Sequence, residues 1–228
     1  MIQKRTFFFG ISVWLLILTC EVTHAQFRYG PFFGLNSSDI DLDIPINANF
    51  ERRVGFELGW IFDYSLGDFV SLSVQTMYIQ KGVKVLVNDV NLGTGAVNFR
   101  LDYVEIPVFL KFGFGTRKIT HPYLFVGPNI GINLNSTAEV NALGFTTDLD
   151  IDQIINSFDL GLGIGMGLHF AINEGNSFVF FEGRYVLGLT NILDEGVFDF
   201  GGGPILLTGE AKNNGIQFIM GVSFPLNR

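Results

Sequence analysis

Arg53-Val54-Gly55-Phe56-Glu57-Leu58-Gly59-Trp60-Ile61-Phe62-Asp63-Tyr64 repeats with a period of two. The even positions carry Val54, Phe56, Leu58, Trp60, Phe62 and Tyr64. The odd positions carry Arg53, Gly55, Glu57, Gly59, Ile61 and Asp63. Successive side chains of a strand point to opposite faces, so one face is continuously apolar and the other holds charge and glycine. A soluble sandwich buries the apolar face and leaves the polar one in water. A membrane barrel turns the apolar face to lipid and the charges into its lumen.

The same beat recurs along the chain. It predicts eight strands, near 27–36, 52–64, 69–82, 100–114, 122–135, 157–171, 177–190 and 214–226. Each runs to roughly 10–15 residues, where a tilted spanning strand needs about 9–11 and globular strands usually have five or six. The connections alternate. Short turns are expected at Ser65–Asp68, Gly115–His121 and Ile172–Asn176, and long loops at Ser37–Glu51, Val83–Phe99, Ser136–Asn156 and Asn191–Asn213. Alternating short and long connections, an even strand number and both termini on one side are the layout of outer-membrane barrels, and nothing in a soluble sandwich requires it. The fold class read from the sequence is all-β: an eight-stranded antiparallel up-and-down transmembrane β-barrel.

The N-terminus agrees. Lys4 and Arg5 precede an apolar run from Phe7 to Leu18, and Thr23-His24-Ala25 places small residues where a signal peptidase reads. A signal peptide over 1–25 and a barrel domain over 26–228 are expected, the mature chain beginning at Gln26. The apolar run is shorter than the roughly 18–20 residues of a spanning helix, against an anchor, and Thr19 is a poor residue before a lipidated Cys20. The only cysteine leaves with the signal, so no disulfide can staple the mature chain. Of 14 Lys+Arg, Lys4 and Arg5 are lost, leaving 12; of 22 Asp+Glu, Glu21 is lost, leaving 21, a net charge of −9. That excludes nucleic-acid binding by counterion release, which needs clustered cations. Hydrophobic residues make up 48% and charged ones only 16%, below the roughly 25% charged of soluble domains, yet no mature segment is a continuous apolar run of spanning-helix length. The surplus is spread over strands.

Carrying the parity round the sheet assigns Phe33 and Leu35, Ile106 and Leu110, Leu162 and Ile164, and Phe218 and Met220 to the lipid face. Phe27, Tyr29, Phe62, Tyr64, Phe112, Phe114, Phe170 and Phe224 gather at the short-turn ends, as an aromatic girdle at the periplasmic rim would. The inward parity collects Arg28, Arg53, Glu57, Asp63, Gln75, Lys81, Glu105, Lys111, Asn129, Asp159, His169, Glu182, Arg184 and Gln217. An eight-stranded barrel is just wide enough inside to be filled by side chains, and charges confined there must pair. Arg28, Arg53, Glu57, Glu105, Lys111, Glu182 and Arg184 are therefore the expected lumenal network. Glu105 and Lys111 could pair across the lumen, and Glu105, Lys111, Glu182 and Arg184 are expected to face one another across its centre and meet there. A water or ion path through the lumen is the alternative reading.

No catalytic, cofactor or metal site emerges. Gly163-Ile164-Gly165-Met166-Gly167 repeats glycine every second residue inside a strand, whereas a dinucleotide loop needs its glycines between strand and helix. A lumenal spacer is the better reading. His169 falls on the lumen parity and His121 in a predicted turn, so neither supplies the lipid-facing rim Ser/His pair of a lipid-modifying barrel enzyme. Asp148-x-Asp150-x-Asp152 resembles the start of a calcium loop, but Gln153 stands where the tight turn demands Gly. Asp39-x-Asp41-x-Asp43 lacks a following acidic ligand. Solvated acidic loops account for both.

Tyr103-Val104-Glu105-Ile106-Pro107-Val108-Phe109-Leu110-Lys111-Phe112 resembles the Y-x-E-I-P-x-x-L-K-F strand of small Bacteroidetes outer-membrane barrels, the PorT-like family with the outer membrane protein beta-barrel domain. Gly34-Leu35-Asn36 and Gly221-Val222-Ser223-Phe224-Pro225-Leu226 are similar to that family too. The resemblance implies residence in the outer membrane of a Gram-negative cell, both termini periplasmic. The implied role is structural or accessory, with outer-membrane lipid and envelope or type IX-like secretion proteins as partners and no cofactor. A narrow channel and a lipid-modifying enzyme are the alternatives. Because proline is poor in a central strand, Pro107 is expected at a bulge.

Overall fold

The computed structural model describes residues 27–42, 49–89, 93–114, 120–142, 145–194, 196–199, 204–207 and 209–226. The expected signal peptide, Asp43 and the centres of several connections lie outside them. Eight strands close into a ring: β1 (Phe27–Leu42), β2 (Asn49–Ser65), β3 (Val70–Asp89), β4 (Gly93–Gly113), β5 (Thr120–Ala142), β7 (Phe158–Ile172), β8 (Ser177–Gly188) and β11 (Ala211–Pro225). Every neighbour is antiparallel, and closure comes from the β1–β11 and β4–β5 pairings. A short β6 (Phe145–Asp150) adds to β5 outside the ring, and β9 (Gly196–Asp199) and β10 (Pro204–Leu207) form a separate hairpin. No described helix is long and apolar enough to cross a membrane.

The stretch from Arg53 to Tyr64 behaves as its period dictates. Val54, Phe56, Leu58 and Trp60 of β2 are exposed, while Glu57, Ile61 and Asp63 are buried. The outward set continues round the ring, with Phe33, Leu35, Ile106, Leu110, Leu162, Ile164, Phe218 and Met220 all exposed. Phe112, Phe114, Phe170 and Phe224 are exposed at the turn end. Cysteines placed at Ile106 and Ile164 should therefore react with lipid-phase probes in reconstituted vesicles, and one at Glu105, 1% exposed, should not. Equal labelling of both parities would contradict the barrel.

Much of what reads as long loop is strand. β3, β4 and β5 run 20, 21 and 23 residues, roughly twice the 9–11 a membrane requires. The expected loops 37–51, 83–99 and 136–156 therefore shrink, because β1, β3 and β5 continue beyond the predicted ends and β2 and β4 begin earlier. The alternating pattern is weaker there: from Val83 to Asn88 the polar parity of Lys84 and Asn88 is interrupted by Leu86, and from Asn133 to Glu139 the apolar parity of Leu134 and Ala138 is interrupted by Ser136. Ladder hydrogen bonding extends these strands where side-chain patterning does not announce them.

The bulges also fall elsewhere. Pro107 pairs in register with Asn129, and the β4–β5 register slips between Asp102 and Tyr103. The shift moves the buried parity of β5 from odd residues such as Tyr123, Phe125 and Asn129 to even ones, Ser136 and Ala138. A second slip on β2–β3 falls between Arg52 and Glu57. A bulge inserts a residue and turns the side chains beyond it to the other face, so parity could not be carried through these points from sequence.

Candidate functional site in the barrel interior

The interior is stacked in layers from the short-turn end upward. In the lower half Phe109, Tyr123 and Phe125 form an aromatic cluster. They sit against the glycine lane of β7. A Cβ on Gly163 would come 2.7 Å from the Phe109 ring, and one on Gly165 would come 2.5 Å from Phe125. One on Gly167 would overlap the Tyr123 ring. The lane exists because three rings from β4 and β5 occupy the space its side chains would need. His121, expected in a turn, lies in β5 with its side chain buried, opposite His169 of β7.

Level with these rings lies the first charge cluster. Lys111 Nζ lies 2.8 Å from Glu182 Oε1 and 3.4 Å from Asp63. Tyr123 donates its hydroxyl to the same Glu182 oxygen at 2.9 Å, and Lys111 lies over the Tyr123 ring at 4.9 Å. Gln75 ties this cluster to the one above. Its amide donates to Glu182 Oε2 at 3.3 Å, while its carbonyl accepts from Arg184 Nη1 at 2.7 Å. Arg184 also donates to Gln217, and its guanidinium lies 3.6 Å from Glu57. Above them Lys81 pairs with Glu105 and, at 3.2 Å, with Asp159. Asn129 donates to Glu105 at 2.8 Å and Asn213 to Asp159 at 2.9 Å.

Of the seven residues expected in the network, Glu57, Glu105, Lys111, Glu182 and Arg184 meet partners in the lumen, and of the four expected to face one another across its centre Lys111 and Glu182 do meet. Glu105 and Lys111 do not pair with each other. They are six residues apart on β4, at different heights, so each closes on the cation or anion nearest its own level. Glu182 and Arg184 are likewise two residues apart on one strand, and each reaches across to another wall. Lys81, Asp63 and Asp159 have the inward parity, and they complete the three clusters. Arg28 lies at the turn end, its guanidinium 4.1 Å over the Phe178 ring and donating to the Asn176 carbonyl at 2.7 Å. Arg53 lies at the opposite end, donating to the Lys81 carbonyl at 3.3 Å. These two arginines flank the charged stack, one at each end, and the carboxylates at its centre are held by Lys81, Lys111 and Arg184.

The upper lumen is apolar, against the expectation of a polar interior throughout. Ile40, Val83, Leu101, Ala138 and Ala211 from the walls pack with Ile151, Ile154, Ile155 and Ile192 from the connections. Ile155 bridges to Leu193, Asn156 donates its side-chain amide to the Asn191 and Leu193 carbonyls, and Ile192 N donates to Ala211 O. The two connections thus lock together across the mouth. Their isoleucines, scattered among Asp and Asn in sequence, carry no period that would reveal this role.

Among the described residues no group of three or more His, Cys, Asp or Glu side chains could hold a metal. The Asp148-x-Asp150-x-Asp152 run folds onto backbone instead: Asp150 accepts from the Asp152 amide at 2.9 Å, and Asp152 accepts from the Ser136 amide.

A model of the outer membrane protein beta-barrel domain matches residues 21–194, most of the chain. The chain belongs to that family. It is a small outer-membrane β-barrel protein, and OprG from Pseudomonas aeruginosa has the same fold. That protein is 16% identical, with 90% of this chain and 97% of that one covered at a TM-score of 0.53. Neisserial surface protein A is 14% identical over 87% and 96% of the two chains, with a TM-score of 0.46. The attachment invasion locus protein Ail of Yersinia pestis is 13% identical over 87% and 98%, with a TM-score of 0.41. No curated protein matches the chain.

Proposed function

We propose that this barrel is a non-conducting, non-enzymatic protein of the outer membrane with a structural or accessory envelope role. Its short turns and termini face the periplasm, and its strand extensions face the cell exterior. The carrying observation is the filling of the lumen. Lys81, Lys111 and Arg184 are committed to five carboxylates and sealed beneath the isoleucine-rich plug. An ion entering this path must break buried pairs, which costs several kcal/mol for each charge left uncompensated, and must cross an apolar layer besides. The lumenal residues therefore serve as a structural filling. A barrel closed in this way acts through its rims.

The Tyr103–Phe112 strand, similar to that of PorT-like barrels, supports envelope or type IX-like secretion proteins as the partner class. Planar-bilayer recording of the refolded protein tests the central claim: no conductance steps above the lipid background are expected. Sustained, voltage-stable steps from the wild-type chain would favour the narrow-channel reading.

A further inference from the structure

We infer that the open edge of β6 is a docking site for an extended, lysine- or arginine-bearing segment of a partner protein, which would add to the sheet as a further strand. The inference deepens the accessory role proposed above and relies on it only for the side of the membrane from which the partner comes.

β6 reads Phe145-Thr146-Thr147-Asp148-Leu149-Asp150, and all six residues are exposed. It pairs with β5 alone and ends the sheet on that side. In an antiparallel pair, alternate residues of the outer strand turn their N–H and C=O groups away from their neighbour. A row of such groups is a template for another strand. Natural edges are blunted by short length, by charge (lysine above all), by proline or by a bulge, and the charges of β6 are acidic alone, which leaves a cationic strand as the one it does not repel. β6 contains no lysine or proline, and its register with β5 is unbroken from Thr137↔Asp150 to Ala142↔Phe145. Its two threonines favour the extended conformation.

The side chains say what kind of strand would fit. Residues directly opposite share a face, so Asp148 stands beside Glu139 of β5. Like charges placed opposite one another destabilise a sheet, and neither forms an ion pair among the described residues. Asp150 extends the acidic row on the same face. A cation from an added strand would lie beside Asp148 and Asp150 on the open side of β6 and offset the acidic row. On the other face, Phe145 is 79% exposed and Leu149 40%, while Leu149's neighbour across the pair, Ala138, is buried in the plug. Apolar residues alternating with the basic ones would cover them. Main-chain bonding supplies the affinity of strand addition and alternate side chains its specificity. A second copy of β6 is selected against, because it would bring aspartates to aspartates.

The test uses the full barrel in detergent or nanodiscs, its folding checked by the shift in gel mobility on boiling. The probe is a fluorescent octapeptide of alternating lysine and valine. Saturable one-to-one binding is expected, with slowed hydrogen exchange of the 145–150 amides in the complex. Asp148→Lys should weaken binding by about tenfold or more. Glu174→Lys, which changes net charge equally at the exposed short-turn end, should leave it within about twofold. Of Thr146 and Thr147 one turns its N–H outward, so Thr146→Pro with Thr147→Pro, which removes that donor and disrupts the edge, should abolish it. The inference is overturned by an equal loss in Asp148→Lys and Glu174→Lys, by unchanged exchange over 145–150, or by comparable binding of an alternating glutamate and valine peptide. Dimerisation through β6 without peptide, seen by light scattering, would overturn it too. None of these outcomes bears on conductance, so this inference and the closed-lumen reading can fail separately.

Discussion

Lys111→Met should destabilise the barrel by about 3–5 kcal/mol, because it leaves two buried carboxylates facing each other without their shared cation. Asp63 and Glu182 both reach Lys111 Nζ, at 3.4 and 2.8 Å, and all three side chains are buried. Urea unfolding from lipid vesicles measures the loss, with Val108→Leu on the outer wall as a control expected to cost less than about 1.5 kcal/mol. The cycle should then show which groups are coupled. Adding Glu182→Gln to Lys111→Met removes one of the stranded charges and should restore part of the stability, giving a coupling of roughly 1–3 kcal/mol. Adding Arg184→Met to Glu182→Gln should give a smaller coupling, since those two meet only through Gln75. A near-neutral Lys111→Met would mean that water solvates the cluster, and the closed-lumen reading would fall with it.

The contrast between those cycles shows what parity can and cannot reveal. A period of two places a side chain inside or outside, and on that basis Glu57, Asp63, Lys81, Glu105, Lys111, Asp159, Glu182 and Arg184 are legible as inward residues. Their partners are legible only in part: Lys111 meets Glu182 across the lumen as expected, but most pairings depend on the relative height of strands that are distant in sequence. Lys81 and Asp159 meet across 78 residues. That height is set by register, register by the bulges at Asp102/Tyr103 and Arg52/Glu57, and a bulge leaves only an ambiguous trace in composition. Pro107 draws attention as a breaker, yet the ladder tolerates it without a slip.

The mouth of the barrel was hidden for a different reason. Ile151, Ile154, Ile155 and Ile192 lie in connections rich in Asp and Asn, where no strand or helix period applies. Their burial follows from the barrel already being closed beneath them: four isoleucines beside an open, apolar-walled lumen have nowhere better to go. Burial of this kind is a tertiary outcome. The glycine lane stands between the two cases. Its period identifies it as part of a strand, and the absence of side chains on the lumen face implies a neighbour of large volume, but only the structure shows that the neighbours are Phe109, Tyr123 and Phe125.

Gly165→Val should cost about 3 kcal/mol or more, the upper end of what overpacking a tight interior brings. A Cβ at Gly165 meets three obstacles at once: the Gly183 carbonyl oxygen at 2.5 Å, Phe125 Cζ at 2.5 Å and Arg184 Cβ at 2.7 Å. The ring could swing aside, but the carbonyl belongs to the β7–β8 ladder and cannot move without parting the strands. Displacing Arg184 would also disturb its contacts with Glu57, Gln75 and Gln217, so steric and electrostatic losses add. Gly131→Ala is the matched control. Its nearest neighbours would be Tyr103 Cδ1 at 3.3 Å and Asp159 Cβ at 3.4 Å, both side chains able to give slightly, and a loss below about 1 kcal/mol is expected. Adding Phe125→Leu to Gly165→Val should recover only part of the stability, since it clears the ring and not the carbonyl. If Gly165→Val instead proved as stable as Gly131→Ala, β7 and β8 could separate locally at little cost. The lumen would then be looser at that level than its ion pairs imply, and the loss expected for Lys111→Met would have to be revised downward with it.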